Sequence, residues 1–360
     1  MQGADRRTVQ AVLSKYSQSK KLYATPSYAV FVTLLAVLSV LSYYNYISAI
    51  GVASQIGWGA LAFFIASILA ISFGHQAFHG AITGNRRLDK FLGALTFIPL
   101  GVDGHLWQRR HITEHHPEPN REGFDEDIDN PTYFRLSPYT THRWYHRYQH
   151  LYAPVLYSIG LLVTITIDDV RQLVREVSRL AEKNSSYRIY TTVSRFVLFK
   201  VLWIILWVAV PLLYNSSFLL VTVMITMATA SIPVSWFFLP IGAAHLNQYT
   251  YFFSTPEKAD FFTQQSATTV DFETNSVLVT WLYGGLNYHL AHHLWPRIPA
   301  SHYQALMTLL KSELRTSIEL VPTLSLRELY CSHFSLLKKL GTKESVQDVL
   351  PTQHQLSLHH

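Results

Sequence analysis

The chain has 360 residues, 49% of them hydrophobic and only 14% charged, with a net charge of +6 and a single cysteine. This composition lies between an ordinary soluble domain and a membrane protein, and one cysteine excludes both an internal disulfide and the multi-thiolate ligation of an iron–sulfur cluster. A basic balance suits anionic headgroups or phosphorylated substrates, and equally the topology of a membrane protein, which is the simpler cause.

Residues 1–27 carry several charges and lack a short apolar core with a small-residue cleavage site. They are expected to form a cytoplasmic segment leading into an uncleaved span. Two uncharged runs follow, 28–48 ("YAVFVTLLAVLSVLSYYNYIS") and 56–73 ("IGWGALAFFIASILAISF"), each near the ~20 residues that cross a bilayer. A second such pair lies at 195–214 and 217–239, where Lys200 is close enough to a helix end to snorkel. The connections 44–55 and 214–217 contain no Lys or Arg, whereas the N-terminus, the middle and the C-terminal part hold nearly all of them. By the positive-inside rule both hairpins turn on the outer side and both termini are cytoplasmic. A fifth apolar run, 151–167, would place the basic stretch 171–188 outside if it crossed, so an in-plane or half-inserted helix is expected. The expected fold is therefore an all-α integral membrane protein. Its four transmembrane helices form two hairpins under a cytoplasmic helical cap, with the membrane domain at 28–320 and a cytoplasmic tail at 321–360. A bacterial inner membrane is the expected location.

Eighteen histidines are many for this length. His75 and His79 follow the second span, and His111, His115 and His116 come next. His245 follows the fourth span, and His289, His292 and His293 close the series. On a helix, i,i+4 and i,i+3 spacings turn side chains to one face, so each group presents its imidazoles together. The topology brings His75 and His245 to the same membrane boundary. One stretch, "HITEHHPEPN" at 111–120, also spells H-x-x-E-H, the inverted zinc-protease signature with Glu114 as base. Catalytic zinc takes three protein ligands and a water, which leaves six of the nine histidines unexplained. Thiolate-free imidazole sites suit zinc, copper, iron or nickel. Eight or nine imidazoles point to two metals, and two metals in an apolar setting point to iron and dioxygen, because unactivated hydrocarbon needs an oxidant that no side chain supplies. A histidine proton relay or transporter would place polar groups inside the spans, and these spans are apolar.

These boxes, with "DEDIDNP" at 125–131, "RLSP" at 135–138, "HRYQHLYAPVLY" from His146 and "HHLWP" at 292–296, resemble the membrane-bound fatty acid desaturases. The resemblance runs from about Gly74 to Pro296 and is nearest to the linoleoyl and front-end branch. It implies a non-haem di-iron site with O2 as co-substrate, held by His75, His79, His111, His115, His116, His245, His289, His292 and His293. Two positions depart from the front-end pattern: His289 stands where Gln is frequent, and Gln76 where Asp is usual. No His-Pro-Gly-Gly haem signature occurs, so the resemblance implies a separate electron donor such as a ferredoxin or small cytochrome. The implied substrate is a fatty acyl chain as thioester, lipid-linked or free acid, and the implied reaction is desaturation. Oxidative decarboxylation to a terminal alkene, acetylenation and hydroxylation are alternatives on the same scaffold.

Ligating imidazoles usually donate their other N–H to a carboxylate or carbonyl, and Glu114, Asp125, Asp127 and Asp271 are candidates for that role. The acidic run 125–129 lacks the glycine and terminal glutamate of a calcium loop. A further series, His142, His146 and His150, is interleaved with Arg143 and Arg147, whose charge opposes a metal. This segment is expected to be an interfacial helix with aromatic anchors, its arginines available to a phosphate of a carrier or lipid.

Overall fold

The computed structural model describes residues 6–19, 24–129, 133–255, 257, 259–314 and 321–342. In chain order the helices are α1 (Arg6–Ser19), α2 (Pro26–Ser48), α3 (Val52–Leu69), α4 (His75–His79), α5 (Arg86–Phe97), α6 (Gly104–Arg110), α7 (Glu126–Asp129), α8 (Gln149–Ser158), α9 (Gly160–Val163) and α10 (Asp169–Glu182). They continue with α11 (Ser186–Ile204), α12 (Val210–Tyr214), α13 (Leu220–Ala243), α14 (Phe261–Ala267), α15 (Val277–Leu282), α16 (His289–Leu294), α17 (Tyr303–Glu313) and α18 (Leu326–Leu340). Five-residue π-helical turns occupy Ala70–Gly74, His111–His115, Thr164–Asp168 and Ile205–Ala209. β1 (Asp271–Phe272) and β2 (Thr323–Leu324) pair in parallel.

Two compact units result. One comprises 26–109 and 155–237; the other comprises 1–25, 110–154 and 238–360.

The first unit carries helices long and apolar enough to cross a membrane. Over the whole chain four such helices are found among the described residues, Pro26–Ser48, Val52–His79, Ser186–Tyr214 and Leu220–Ala243. The expected spans are all present with shifted ends, each for a local reason. The second continues to His79 because the π turn at Ala70–Gly74 joins α3 to α4 without a break. The third begins at Ser186, since the stretch before Arg195 holds no glycine or proline and Arg188 is a good helix former. The fourth starts at Leu220 because the Asn215 Oδ1 accepts from the N–H and Oγ of Ser217, at 3.0 and 2.7 Å, and forms an Asx turn. Asn215 also donates to the carbonyls of Ile47 and Ala49, and Gln55 donates to Ser217 Oγ at 2.9 Å. The short turns after α2 and α12 therefore touch. Inside, Tyr46, Phe63, Trp207 and Phe218 interlock, Trp207 lying 5.1 Å from Phe63 and 5.7 Å from Tyr46 between ring centroids.

Lys200 does not reach out as expected. Its ammonium donates to the carbonyls of Gly101 and Ile165 and to Asp169 Oδ2, the last at 2.6 Å. Three acceptors match its three N–H groups, which desolvates the charge without leaving it unpaired. The apolar run 151–167 is not one straight helix, because Trp144–Ser158 and Gly160–Glu182 are bent by 72° at their junction. Pro154 lies within α8 and removes one helical donor just before the bend.

In the second unit, Val9, Val12 and Tyr16 of α1 are buried against Leu290 and Leu294 of α16 and Tyr303, Leu306 and Leu310 of α17. The Trp295 indole N–H donates to the Val9 carbonyl at 3.3 Å. Helix α18 begins at a capping box, Ser325 and Glu328 each satisfying the other's backbone N–H. The buried Arg135 guanidinium donates to the carbonyls of Pro138, Thr140, Leu340 and Thr342, tying the "RLSP" segment to the end of α18. Of the expected tail 321–360, residues 321–342 are described and pack into this unit, whereas 343–360 lie outside the described residues.

Candidate metal centre

Seven of the nine singled-out histidines belong to the second unit. His245 is the hub. Its Nε2 lies 3.1 Å from His115 Nε2, 2.7 Å from His289 Nε2 and 3.1 Å from His293 Nε2. A neighbouring set joins His116, His292 and His293, with ligand atoms within 4.8 Å of one another. His111 adjoins that set: its Nε2 is 3.0 Å from His116 Nε2, and its ring stacks 5.9 Å from His292.

The second box is built differently from the expected α-helical face. Residues His111–His115 form a π turn, closed by the His116 N–H to the His111 carbonyl at 3.0 Å. In an α-helix i and i+5 diverge by about 140°, whereas the wider i→i+5 turn brings them together. His111 and His116 consequently meet, while His115 turns toward His245. His289, His292 and His293 follow the expected face of α16. The helix start is held by Asp271, whose Oδ1 accepts from the Leu290 N–H at 3.1 Å.

Each hub imidazole has its Nδ1 taken. His115 Nδ1 donates to Asp125 at 3.1 and 3.2 Å, with Asp127 at 3.5 Å. His245 donates to the Thr268 carbonyl at 2.8 Å, His289 to the Leu286 carbonyl at 2.9 Å, and His293 to Gln265 Oε1 at 2.8 Å. These acceptors fix the proton on Nδ1. Four bare Nε2 lone pairs are thereby gathered into one space, an arrangement that repels itself and that a cation relieves. The donors are imidazole, with no thiolate among them, and fit iron, zinc, copper or nickel.

Electrostatics agree for His245, His289 and His293, and at His115 the Asp125 carboxylate opposes the neutral form. Burial, then the neighbouring His289 and His115, holds His245 well below the ordinary histidine range. Burial lowers His289 to about 4, and burial with the surrounding imidazoles holds His293 well below its usual value. All three are neutral near pH 7, the form that ligates. At His115 burial again disfavours the charge, but the Asp125 carboxylate outweighs it and the net direction is upward. Asp125 is itself pushed up by burial and pulled further down by His115 and by the N–H groups of Asn120 and Asp127.

Of the four carboxylates singled out, Asp125 touches an imidazole, Asp127 lies just beyond, and Asp271 accepts from the Leu290 N–H at the start of α16. Glu114 sits in the π turn between His111 and His115. Gln265 was not singled out. Its Nε2 donates to the His116 carbonyl at 3.2 Å, which leaves Oε1 for His293. A glutamine 28 residues before the histidine it supports leaves no spacing signal.

His75 and His79 belong to the other unit, at the end of the second candidate span. Both are buried, with ring centroids 4.8 Å apart. The His142, His146, His150 series is not a metal face: His142 Nε2 donates to the Gly341 carbonyl at 3.0 Å, and His146 Nδ1 accepts from the Arg143 N–H at 3.0 Å. Arg143 and Arg147 are exposed, Arg147 over the Tyr148 ring at 4.6 Å.

Comparison with known proteins is consistent with this geometry. Residues 50–321 match the family described as "Fatty acid desaturase". The chain is 28% identical over 299 residues to the acyl-lipid (8-3)-desaturase B of Dictyostelium discoideum, covering 76% of this chain and 62% of that protein. It is 28% identical over 293 residues to the Delta(5) fatty acid desaturase A of the same organism, covering 76% and 61%. With the sn-1 linoleoyl-lipid 6-desaturase of Arthrospira platensis it shares 27% over 250 residues, covering 68% and 66%. The chain thus spans about three fifths of the length of the slime-mould relatives.

Proposed function

The chain belongs to the fatty acid desaturase family, and from that premise we propose that it is a membrane-bound oxidoreductase that introduces a double bond into a fatty acyl chain. The observation that carries the proposal is the gathering of bare Nε2 atoms from His115, His245, His289 and His293 around one space. His111, His116 and His292 adjoin them, and the resemblance of the first box would add His75 and His79, a set of nine imidazoles that would hold two irons. Bound iron supplies the O2-dependent hydrogen abstraction that no side chain offers. In balance, two hydrogens leave adjacent carbons, and with two electrons and two protons they reduce O2 to two waters.

The protein's own part is to fix geometry. Asp125, Thr268, Leu286 and Gln265 hold the imidazoles in the ligating tautomer, and Asp271 holds the start of α16. The electrons come from a separate donor such as a ferredoxin or small cytochrome. Relatives named as acyl-lipid and linoleoyl-lipid desaturases support an acyl chain carried on a lipid and favour desaturation over decarboxylation, acetylenation or hydroxylation. Arg143 and Arg147 are assigned to the phosphate of that carrier. In the membrane, α2–α3 and α11–α13 form two hairpins with both termini cytoplasmic. The hydrogen bonds between the two short turns support this arrangement, as does the absence of basic residues there.

The test is product analysis of membranes from cells expressing the chain. New unsaturated acyl chains are expected from the wild type and from Glu114→Gln, and none from His116→Ala. A terminal alkene as sole product, or activity surviving His116→Ala but lost in Glu114→Gln, would overturn the proposal.

A further inference from the structure

Helix α5 joins the first histidine box to the second, and its two faces serve different neighbours. The inner face packs on the box. Gly93 approaches so closely that a Cβ there would meet the Gly74 carbonyl oxygen and the Phe78 ring, each at 3.1 Å, and Ala94 and Phe97 are buried beside it. The one acid of the helix also points inward: Asp89 is fully buried, and its Oδ1 accepts from the Thr83 N–H at 3.0 Å and the Thr83 Oγ at 2.6 Å. The outer face carries Leu88, Phe91 and Leu95, exposed by 43%, 58% and 45%. Their i, i+3, i+7 spacing puts them in one stripe. Arg86, Arg87 and Lys90 lie exposed at the start of the same helix, with no exposed acid within it to offset them.

An exposed apolar stripe on a helix whose first turns carry three exposed cations is expensive in water and favourable at a lipid headgroup boundary, where the stripe enters the acyl region and the cations at the helix start meet phosphate. The location agrees, because α5 packs on α4 and on the π turn before it, the end of the Val52–His79 helix. We propose that α5 is an in-plane lipid-binding helix that docks its Leu88–Phe91–Leu95 stripe into a leaflet rich in anionic phospholipid. The proposal rests on reading Val52–His79 as a membrane span. It makes anionic lipid a direct neighbour of the helix on which the first box is packed.

Cys331 is the only cysteine, so Cys331→Ser allows single-site spin labelling of the full chain. Phe91→Cys would be labelled with a nitroxide in nanodiscs of phosphatidylcholine alone or with phosphatidylglycerol added. Leu34→Cys on α2 is the reference. The readout is collision with apolar oxygen against a water-soluble nickel chelate. The expected result is a label at 91 shielded from the chelate in the anionic discs and shifted toward water in the neutral ones. That shift should be lost in the Arg86→Gln, Arg87→Gln, Lys90→Gln variant. A chelate-accessible label at 91 in both compositions, with the label at 34 shielded, would overturn the proposal. So would a label at 91 equally shielded in both, or a shift that survives neutralisation. A chelate-accessible label at 34 would instead overturn the membrane reading beneath it.

Discussion

Gln265 shows how a single uncharged side chain joins two parts of the centre. One end takes the Nδ1 proton of His293 and the other donates to the backbone of His116, so it couples the second and third boxes. Gln264, the preceding residue on α14, is also buried but serves Arg121 Nη2 at 2.7 Å and no histidine. Gln265→Leu is expected to lower iron per chain several-fold and to alter the visible spectrum of a cobalt-substituted protein. Gln265→Glu, which keeps the acceptor, should retain more metal than the leucine variant. Gln264→Leu is the control: stability should drop while the metal-to-chain ratio and spectrum hold. His333 makes a different prediction. Burial lowers its pKa from 6.5 to about 4, and its Nδ1 donates to the Leu246 carbonyl. Below pH 6.5 the unfolded chain binds a proton that the folded chain refuses until about pH 4. Stability is therefore lost as pH falls through that window, by on the order of 3 kcal/mol. His333→Gln should melt closer to its neutral-pH midpoint at pH 5 than the wild type does. The ligand candidates themselves were legible in the sequence, as clustered histidines at helical spacing. Their supports at Thr268 and Leu286 are backbone carbonyls, which any residue could provide, and so carry no signal.

At the scale of elements, the π turn at His111–His115 decides which histidines face each other. Periodicity alone treats "HITEHH" as one α-helical face. The extra residue in the turn instead pairs His111 with His116 and frees His115 for His245. A π turn is selected by packing around it rather than by local propensity, which is why spacing could not show it. Deleting the exposed Thr113 should restore an α-helical turn in which His111 and His116 stay together as i and i+4, roughly 40° apart, but His115 is drawn back one position from the place where it faces His245. Helix content by circular dichroism should be unchanged while iron retention falls at least ten-fold; full retention would show that the turn is dispensable. The spans were legible because long uncharged runs have few other uses. Their ends were not, since the Asx turn at Asn215 and the π turn at Ala70–Gly74 act over a handful of residues. Lys200 was misread for a related reason: nothing in the sequence indicates that Gly101, Ile165 and Asp169 supply its acceptors.

Across the whole molecule, hydropathy and compactness divide the chain differently. Hydropathy sets off 1–27 and 321–360 as flanks, whereas α1 and α18 lie in the unit that holds seven of the nine histidines. Their apolar residues, Val9 and Val12 in α1 and Leu329, Leu336 and Leu337 in α18, are buried there, and a short amphipathic helix near a terminus gives no hint of its partner. Truncation of α1 should therefore expose the Leu290–Trp295 face and reduce metal retention, measured in the purified protein. The relatives come from eukaryotes and cyanobacteria alike, so they do not favour a bacterial membrane over any other. The central claim is that these histidines hold a pair of irons, and metal analysis with Mössbauer spectroscopy on the purified full chain tests it most directly. The account predicts two irons per chain in a coupled pair, lost on His245→Ala; one zinc per chain with no iron, or an iron complement unaffected by His245→Ala, would contradict it.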